Sequence, residues 1–366
     1  MIHESLTGRD WQAVVDRLGG SAALTASARE TKAFVRPRAI GSAVDLLRMV
    51  LAYCLNHGGL RSTTAWAASI GFVDVSNVAL LYRLRQCGDW LAVLVGHALA
   101  TAAPKASRGR LIRIVDATTV PKAGTRAKKQ NSLWRVHSAF DLPGERFGFF
   151  ALTDEQGGEQ LDRIPVIEGE IRIADRAYLQ PDRMAAVLTA GADIIVRAGW
   201  KGARWLDAEG EAFDLIAALR AAGAEGLIDR PIGIARKKGP PLQLRLVAVR
   251  KPPAAIEIAK RKARRAASRG GHQIAKATLQ AAEWVILITS LSTDAFSTTD
   301  VLDLYRLRWR IELAFKRLKS LIGLKGPPGI DERSAKPYIL AHLLMILLLE
   351  PLIDAFEDSP RSAIAA

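Results

Sequence analysis

Cysteine is nearly absent: only Cys54 and Cys87 occur in 366 residues. That excludes a disulfide framework and a cysteine-built metal centre. Both lie in apolar helical patterns and read as buried thiols in a reducing compartment. Long apolar runs are missing too. The longest, "YILAHLLMILLLE" at 338–350, is too short to span a bilayer and is interrupted by His342. The polar start "MIHESLTGRDW" lacks the apolar stretch of a secretory signal, so a cytoplasmic, nucleoid-associated protein is expected. Acidic charge is scarce beside basic charge, with 37 Asp+Glu against 52 Lys+Arg and a net charge of +15. This balance implies a polyanionic partner: nucleic acid first, an anionic membrane surface as the plainer alternative. The remaining composition, 49% hydrophobic and 24% charged residues, is that of a folded chain with a sizeable core.

Residues 1–105 read as helices, with apolar residues recurring at three- and four-residue steps in "AVDLLRMVLAYCL" and "DWLAVLVGHAL". Within them, 62–86 has a helix, a break at Gly71, capping candidates Asp74 and Ser76, and a second helix. That order suits a helix-turn-helix with Asn77, Tyr82, Arg83 and Arg85 on its second helix, although any two-helix corner produces it. A polar linker at 101–110 precedes a change of texture. "LIRIVDATTV" (111–120) and "GEIRIADRAY" (169–178) alternate like strands, with "SLWRVHSAFDL" and "RFGFFALTDE" as two more between them. "LQPDRMAAVLTAG" is a helix with Pro181 in its first turn and Gly191 at its end. The expected division is a helical DNA-binding domain (1–105), the first part of a core (106–192), a β-rich stretch (193–291), the second part of the core with a C-terminal helix (292–352), and a flexible tail (353–366).

"YRLRWRIELAFKRLKS" (305–320) holds one acid, Glu312, among six arginines and lysines. On a continuous helix of about 100° per residue, Tyr305, Arg308, Glu312 and Lys319 share a stripe roughly 60° wide. Leu304, Leu307, Ile311, Phe315, Leu318 and Ile322 form the apolar stripe beside it. An ordinary amphipathic helix, with Glu312 paired to Arg308 and Lys316, accounts for this pattern by itself. Two further acids shift the balance. Asp116 and Asp175 each come after an alternating strand pattern in which aspartate is disfavoured. A buried acid needs a partner, and converging acids without nearby Cys or His favour a hard divalent cation. Singly, either Asp also suits the end of a strand, where it would cap the next turn or helix.

At these residues the chain resembles the bacterial DDE transposases of the insertion-sequence-four type. Tyr305, Arg308, Glu312 and Lys319 match that family's Y-x2-R-x3-E-x6-K signature, and "DATTV" at Asp116 and "DRAY" at Asp175 are similar to its first and second acid motifs. The resemblance covers about 110–325. It implies an α/β, ribonuclease H-like mixed-sheet catalytic core with a β-rich insertion between the second Asp and the Glu, preceded by an all-α N-terminal domain. It further implies two Mg²⁺ or Mn²⁺ ions on Asp116, Asp175 and Glu312, cutting and joining double-stranded DNA at terminal inverted repeats and a target, and a homodimer in the DNA complex. The expected DNA contacts are Tyr305, Arg308 and Lys319 on phosphates, Trp284 stacking on an unpaired base, Arg176 beside Asp175, Lys128 and Lys129 in the basic loop 122–130, and Arg83. The basic stretch 259–276 is a solvated helix or a phosphate-facing arm. A DNA-binding regulator with a repurposed core and a related metal-dependent nuclease stand as the alternatives.

Overall fold

The computed structural model describes residues 9–55, 59–101, 109–122, 133–142, 144, 146–223, 226–320, 323–324, 326–328 and 331–357. The chain opens with helices α1 (Arg9–Arg17), α2 (Gly20–Glu30), α3 (Ala43–Leu55), α4 (Gly59–Ser69), α5 (Asn77–Gln86) and α6 (Gly88–Thr101). Three antiparallel strands come next: β1 (Ile112–Pro121), β2 (Leu133–Leu142) and β3 (Arg146–Asp154). β4 (Ile171–Ala174) then runs parallel to β1, and β5 (Asp193–Arg197) parallel to β4. Between β4 and β5 lie a 3₁₀ turn (Arg176–Tyr178) and α7 (Pro181–Thr189). Proline supplies the first turn of α7, and Gly191, at φ 83, turns the chain back into the sheet.

The stretch 193–291 supplies β5, β6 (Trp205–Leu206), α8 (Leu215–Ala221), β7 (Leu227–Ile234), β8 (Leu242–Arg250), α9 (Pro253–Arg269), α10 (Lys276–Ala282) and β9 (Trp284–Thr289). Its strands extend the same sheet, in the order β3-β2-β1-β4-β5-β9-β8-β7-β6. Three helices follow among the described residues: α11 (Thr298–Arg306), α12 (Trp309–Ser320) and α13 (Glu332–Glu357). No helix among the described residues is long and apolar enough to cross a membrane.

Alternation along β1 divides the core. Ile114 and Val120 face one hydrophobic cluster, shared with the N-terminal helices and with α12 and α13, while Val115 faces a second, shared with α7 and α8. The first cluster runs without interruption from Trp11 to Leu348, so the N-terminal helices and the sheet share one core. Cys54 and Cys87 are buried free thiols within it.

One expectation needs correction. The segment 305–320 is not a single helix: α11 ends at Arg306 and α12 begins at Trp309. The intervening turn tightens, with Leu307 N–H donating to Leu304 O and Arg308 N–H to Tyr305 O, each three residues back. α11 starts at a capping box between Ser297 and Asp300, and α12 is anchored by buried Ile311, Phe315 and Leu318. Phe315 rests on Phe147 of β3, ring centroids 6.0 Å apart. Each half is thus fixed by its own packing.

A buried ionic network ties the strands that meet at the centre of the sheet. Arg113 on β1 makes a two-pronged bond to Asp141 on β2, at 2.7 and 2.8 Å, and its third nitrogen stands 3.2 Å from Glu170. Arg172 on β4, wholly buried, donates to Glu170 and to the carbonyls of Leu161, Ile164 and Pro165. Gly148 on β3 is required beside it, because a Cβ there would overlap the Asp141 carboxylate.

Candidate active site

β1 and β4 pair in register from Ile112/Ile171 to Val115/Ala174. The next residue on each is an aspartate, Asp116 and Asp175. Neighbouring strands lie about 4.8 Å apart, so the two acids stand side by side where parallel β4 ends, the part of an open α/β sheet that binds ligands. The two segments carry the same pattern, "IRIVD" and "IRIAD", paired residue for residue through the first four positions. That repeat is a signal in the sequence which alternation alone does not use.

Asp116 remains within β1, opposite Ser138 of β2, and its Oδ1 accepts the Ala117 N–H at 2.8 Å. Asp175 precedes the 3₁₀ turn without capping it through its side chain. Its Oδ1 is buried and has no hydrogen-bond donor; Arg197 Nη1, at the end of β5, stands 3.7 Å away.

The third acid comes from above the sheet. Glu312, in the first turn of α12, is bonded to Arg308 in the turn before it, and Arg308 Nη1 also stands 3.7 Å from Asp116 Oδ2. One guanidinium therefore bridges the β1 and α12 carboxylates, and Asp175 acts on the same group electrostatically. Tyr305, on α11, has its hydroxyl buried next to Arg308, and burial and then the Asp175 charge push its pKa up. The Arg308–Glu312 pair of an ordinary helix is thus present, placed against the two aspartates. Among the described residues, no three His, Cys, Asp or Glu side chains stand close enough together to hold a metal ion.

Burial pushes the Asp116 carboxyl up from 3.8 to about 6; the Ala117 N–H and Arg308 oppose this, while Glu159 and Asp175 add to it. Between those two values the folded chain holds the Asp116 proton more tightly than the unfolded chain does. Stability therefore falls as pH rises through this window, and the whole cost is present above about 6. A shift of this size corresponds to roughly 3 kcal/mol. Asp116→Asn is accordingly expected to be more stable than the wild type at pH 8, with the gap closing near pH 4, in urea unfolding at the two pH values. An equal gap at both would discard the linkage.

Several groups at the site escaped the sequence reading. Glu159, in the Gly-rich turn "DEQGGEQ", acts on both Asp116 and Tyr178, whose buried hydroxyl lacks a hydrogen-bond partner. Nothing in the turn's composition singles this acid out. Arg197 could have been noticed, since it closes the apolar run of β5 as Asp175 closes that of β4. Beside Asp175 opens a cavity of about 850 Å³ lined by Arg176, Arg197, Lys251, Lys262, Trp200 and Trp284, among others. Burial, then Arg197 and Arg176, lower the Lys251 pKa to about 8.

The remaining expected contacts divide. Arg176 is exposed and lines the cavity, and Lys319 is exposed on the last turn of α12. Trp284 is 4% exposed and packed in the second hydrophobic cluster at the start of β9, and it also lines this cavity. Arg83 is half-buried over the Phe34 ring rather than free on its helix. Lys128 and Lys129 lie outside the described residues. The basic stretch 259–276 is largely α9, which buries Ile256 and Ala267.

The family described as Transposase DDE domain matches residues 107–348. The chain is 39% identical over 362 residues to the InsL protein for insertion sequence element IS186A of Escherichia coli strain K12, with 97% of each chain covered. It is 40% identical over 365 residues to the transposase for insertion sequence element IS421 of Escherichia coli, again with 97% of each covered. A domain match that contains all three acids, joined to likeness along nearly the whole length, settles the assignment: the chain belongs to the DDE transposase family of DNA-transposing enzymes.

Proposed function

We propose that this DNA transposase binds the terminal inverted repeats of an insertion sequence and cuts and joins DNA strands with Asp116, Asp175 and Glu312. The reading rests above all on Asp116 and Asp175 each following directly on the registered β1–β4 pairing, with Glu312 tied to the same guanidinium that faces Asp116. It takes β3-β2-β1-β4-β5, an antiparallel trio continued by two parallel strands, as a ribonuclease H-like core. The strands beyond β5 would be the insertion, and α1–α6 the DNA-binding part.

The donor set suits a hard divalent cation in kind, and Glu312 would join it on leaving Arg308, because the three carboxylates do not converge as they stand. The set is all oxygen, Asp175 Oδ1 is buried without a donor, and Asp116 sits where burial and neighbouring acids favour a gained positive charge. Asp116, Asp175 and Glu312 would hold two Mg²⁺ or Mn²⁺ ions, which when bound activate an attacking hydroxyl and stabilise the leaving oxygen of an in-line displacement. The protein's part is to bind and orient. Arg308 would release Glu312 and turn its fork to a strand phosphate, with the Tyr305 hydroxyl beside it and Lys319 further along α12. The basic cavity at Arg176, Arg197 and Lys251 offers the strand a path away from Asp175. Two copies of the chain would bring two DNA ends together at the nucleoid.

A gel assay on duplexes carrying the element's ends tests this. Cleaved and joined products are expected with Mg²⁺ and none with EDTA. Cleavage without joining would make the chain a nuclease, and binding without cleavage in either Mg²⁺ or Mn²⁺ would make it a regulator.

A further inference from the structure

α5 carries Arg83, an expected DNA contact, and Arg85, and each is half-buried and engaged with a neighbouring segment. Arg83 lies over the Phe34 ring, 5.8 Å from its centroid, and donates to the Arg36 carbonyl at 3.1 Å. Arg85 pairs with Asp331 at 2.8 Å and donates to Ser334 at the start of α13. The groups that α5 presents to solvent are Val78 (55% exposed), Tyr82 (63% exposed) and Gln86, spaced i, i+4, i+8 along one face.

A second exposed segment stands beside that face. Between α2 and α3 the chain runs through Lys32, which has φ 60 and is the one non-glycine with positive φ among the described residues. It continues through exposed Val35, Arg36, Pro37 and Arg38. Between this segment and α5 opens a groove of about 570 Å³, and none of its lining residues is acidic. Exposed apolar and aromatic groups flanked by cations, with no acid in the lining, are complementary to a polyanion with apolar edges, which is the description of duplex DNA. α4, the turn at Gly71 (φ 66) and α5 form a two-helix corner on which Val78, Tyr82 and Gln86 are exposed.

We propose that this groove, lined by Tyr82 and Gln86, and the exposed α5 face that continues to Val78 form a duplex-DNA docking face: the Val78–Tyr82–Gln86 stripe enters the major groove and reads bases, while Lys32, Arg36 and Arg38 hold the flanking phosphates. The stripe spans about 12 Å of helix, three to four base steps. Its chemistry selects A·T pairs. A glutamine amide matches adenine N6 and N7, and valine and the tyrosine ring meet the thymine methyl. The assignment rests on the reading of the chain as a DNA transposase.

The test uses the full chain, with fluorescence anisotropy on a duplex of the element's terminal repeat and a mixed-sequence duplex of equal length. Arg36→Ala/Arg38→Ala is expected to weaken binding to both and to reduce the slope of log K against log salt by about 1.8, or 0.9 per lost phosphate contact. Tyr82→Ala and Gln86→Ala are each expected to cut the preference for the terminal repeat roughly five- to a hundredfold, leaving the mixed duplex and its salt slope unchanged. All four side chains are exposed, so the variants fold, as far-UV circular dichroism will check. An unchanged salt slope in the arginine pair, or an unchanged preference in both α5 variants, overturns the proposal. So does a loss of self-association, read by sedimentation, with DNA binding intact, because the face would then dock a second copy. If the wild type neither binds nor cuts either duplex, the transposase reading itself fails. If it cuts while these variants bind normally, only the docking face is lost.

Discussion

Glu312→Gln is expected to lower strand cleavage at least about 1,000-fold while leaving DNA affinity within about threefold. The residue suits such a test because the fold asks little of it. Its side chain is 57% exposed and its ion pair is with Arg308, one turn away on the same segment. Exposed pairs of this spacing contribute about 0.5 kcal/mol or less, so the variant should unfold with the wild type. Glutamine keeps the shape and can still accept a bond from Arg308, but it loses the charge that a divalent cation needs. The two readings of Glu312 therefore diverge sharply. A carboxylate that merely neutralises Arg308 can be replaced with a few-fold change in cutting, whereas one that completes a cation site with Asp116 and Asp175 cannot. Single-turnover cleavage of a labelled terminal-repeat duplex in Mg²⁺ measures the difference. Retained cutting would remove Glu312 from the catalytic set and leave the ion pair as its whole role.

The contrast between α12 and the aspartate strands explains which features were legible in the sequence. Asp116 and Asp175 were legible because each interrupts a period-two apolar pattern, and a sheet allows few reasons for an acid at such a point. Their adjacency was less visible, since register depends on tertiary pairing, although the shared I-R-I-x-D pattern anticipates it. The break at Leu307–Arg308 left no trace in the sequence. No glycine or proline marks it, and the tightened turn barely disturbs the phase of the apolar stripe, so Arg308 still meets Glu312 one turn on. Charge counting identified a basic chain but could not aim individual side chains. Arg83 faces an aromatic ring, Arg172 is wholly buried, and Glu159 reaches the site from an unremarkable loop. Trp284 shows the same limit, because a tryptophan at a strand start looks alike in sequence whether its ring is packed or open.

Arg172→Ala is expected to destabilise the chain by about 3–5 kcal/mol, the largest stability effect of any single change proposed for it. Arg172 and Glu170 are both fully buried, and the guanidinium also satisfies three carbonyls of the loop leading into β4. Truncation would leave Glu170 facing Arg113 alone. Burial already pushes the Glu170 carboxyl up, with Arg172 and Arg113 as the opposing influences, so loss of the nearer cation favours the protonated form. Glu170→Gln/Arg172→Met, which removes the orphaned charge and restores apolar volume, is expected to recover at least half of the loss in urea unfolding. A single-variant cost below about 1 kcal/mol would mean the network does not hold the strands. Register carries this effect into the chemistry. Arg113 lies three residues before Asp116 on β1, and Arg172 three before Asp175 on β4, each in the registered run that ends at the acid pair. Slippage or fraying there moves one aspartate relative to the other. Cleavage measured at a temperature where Arg172→Ala remains folded should therefore fall more than DNA binding does. Equal losses of both would assign the network to stability alone and leave the acids to be positioned by Arg308 and the sheet.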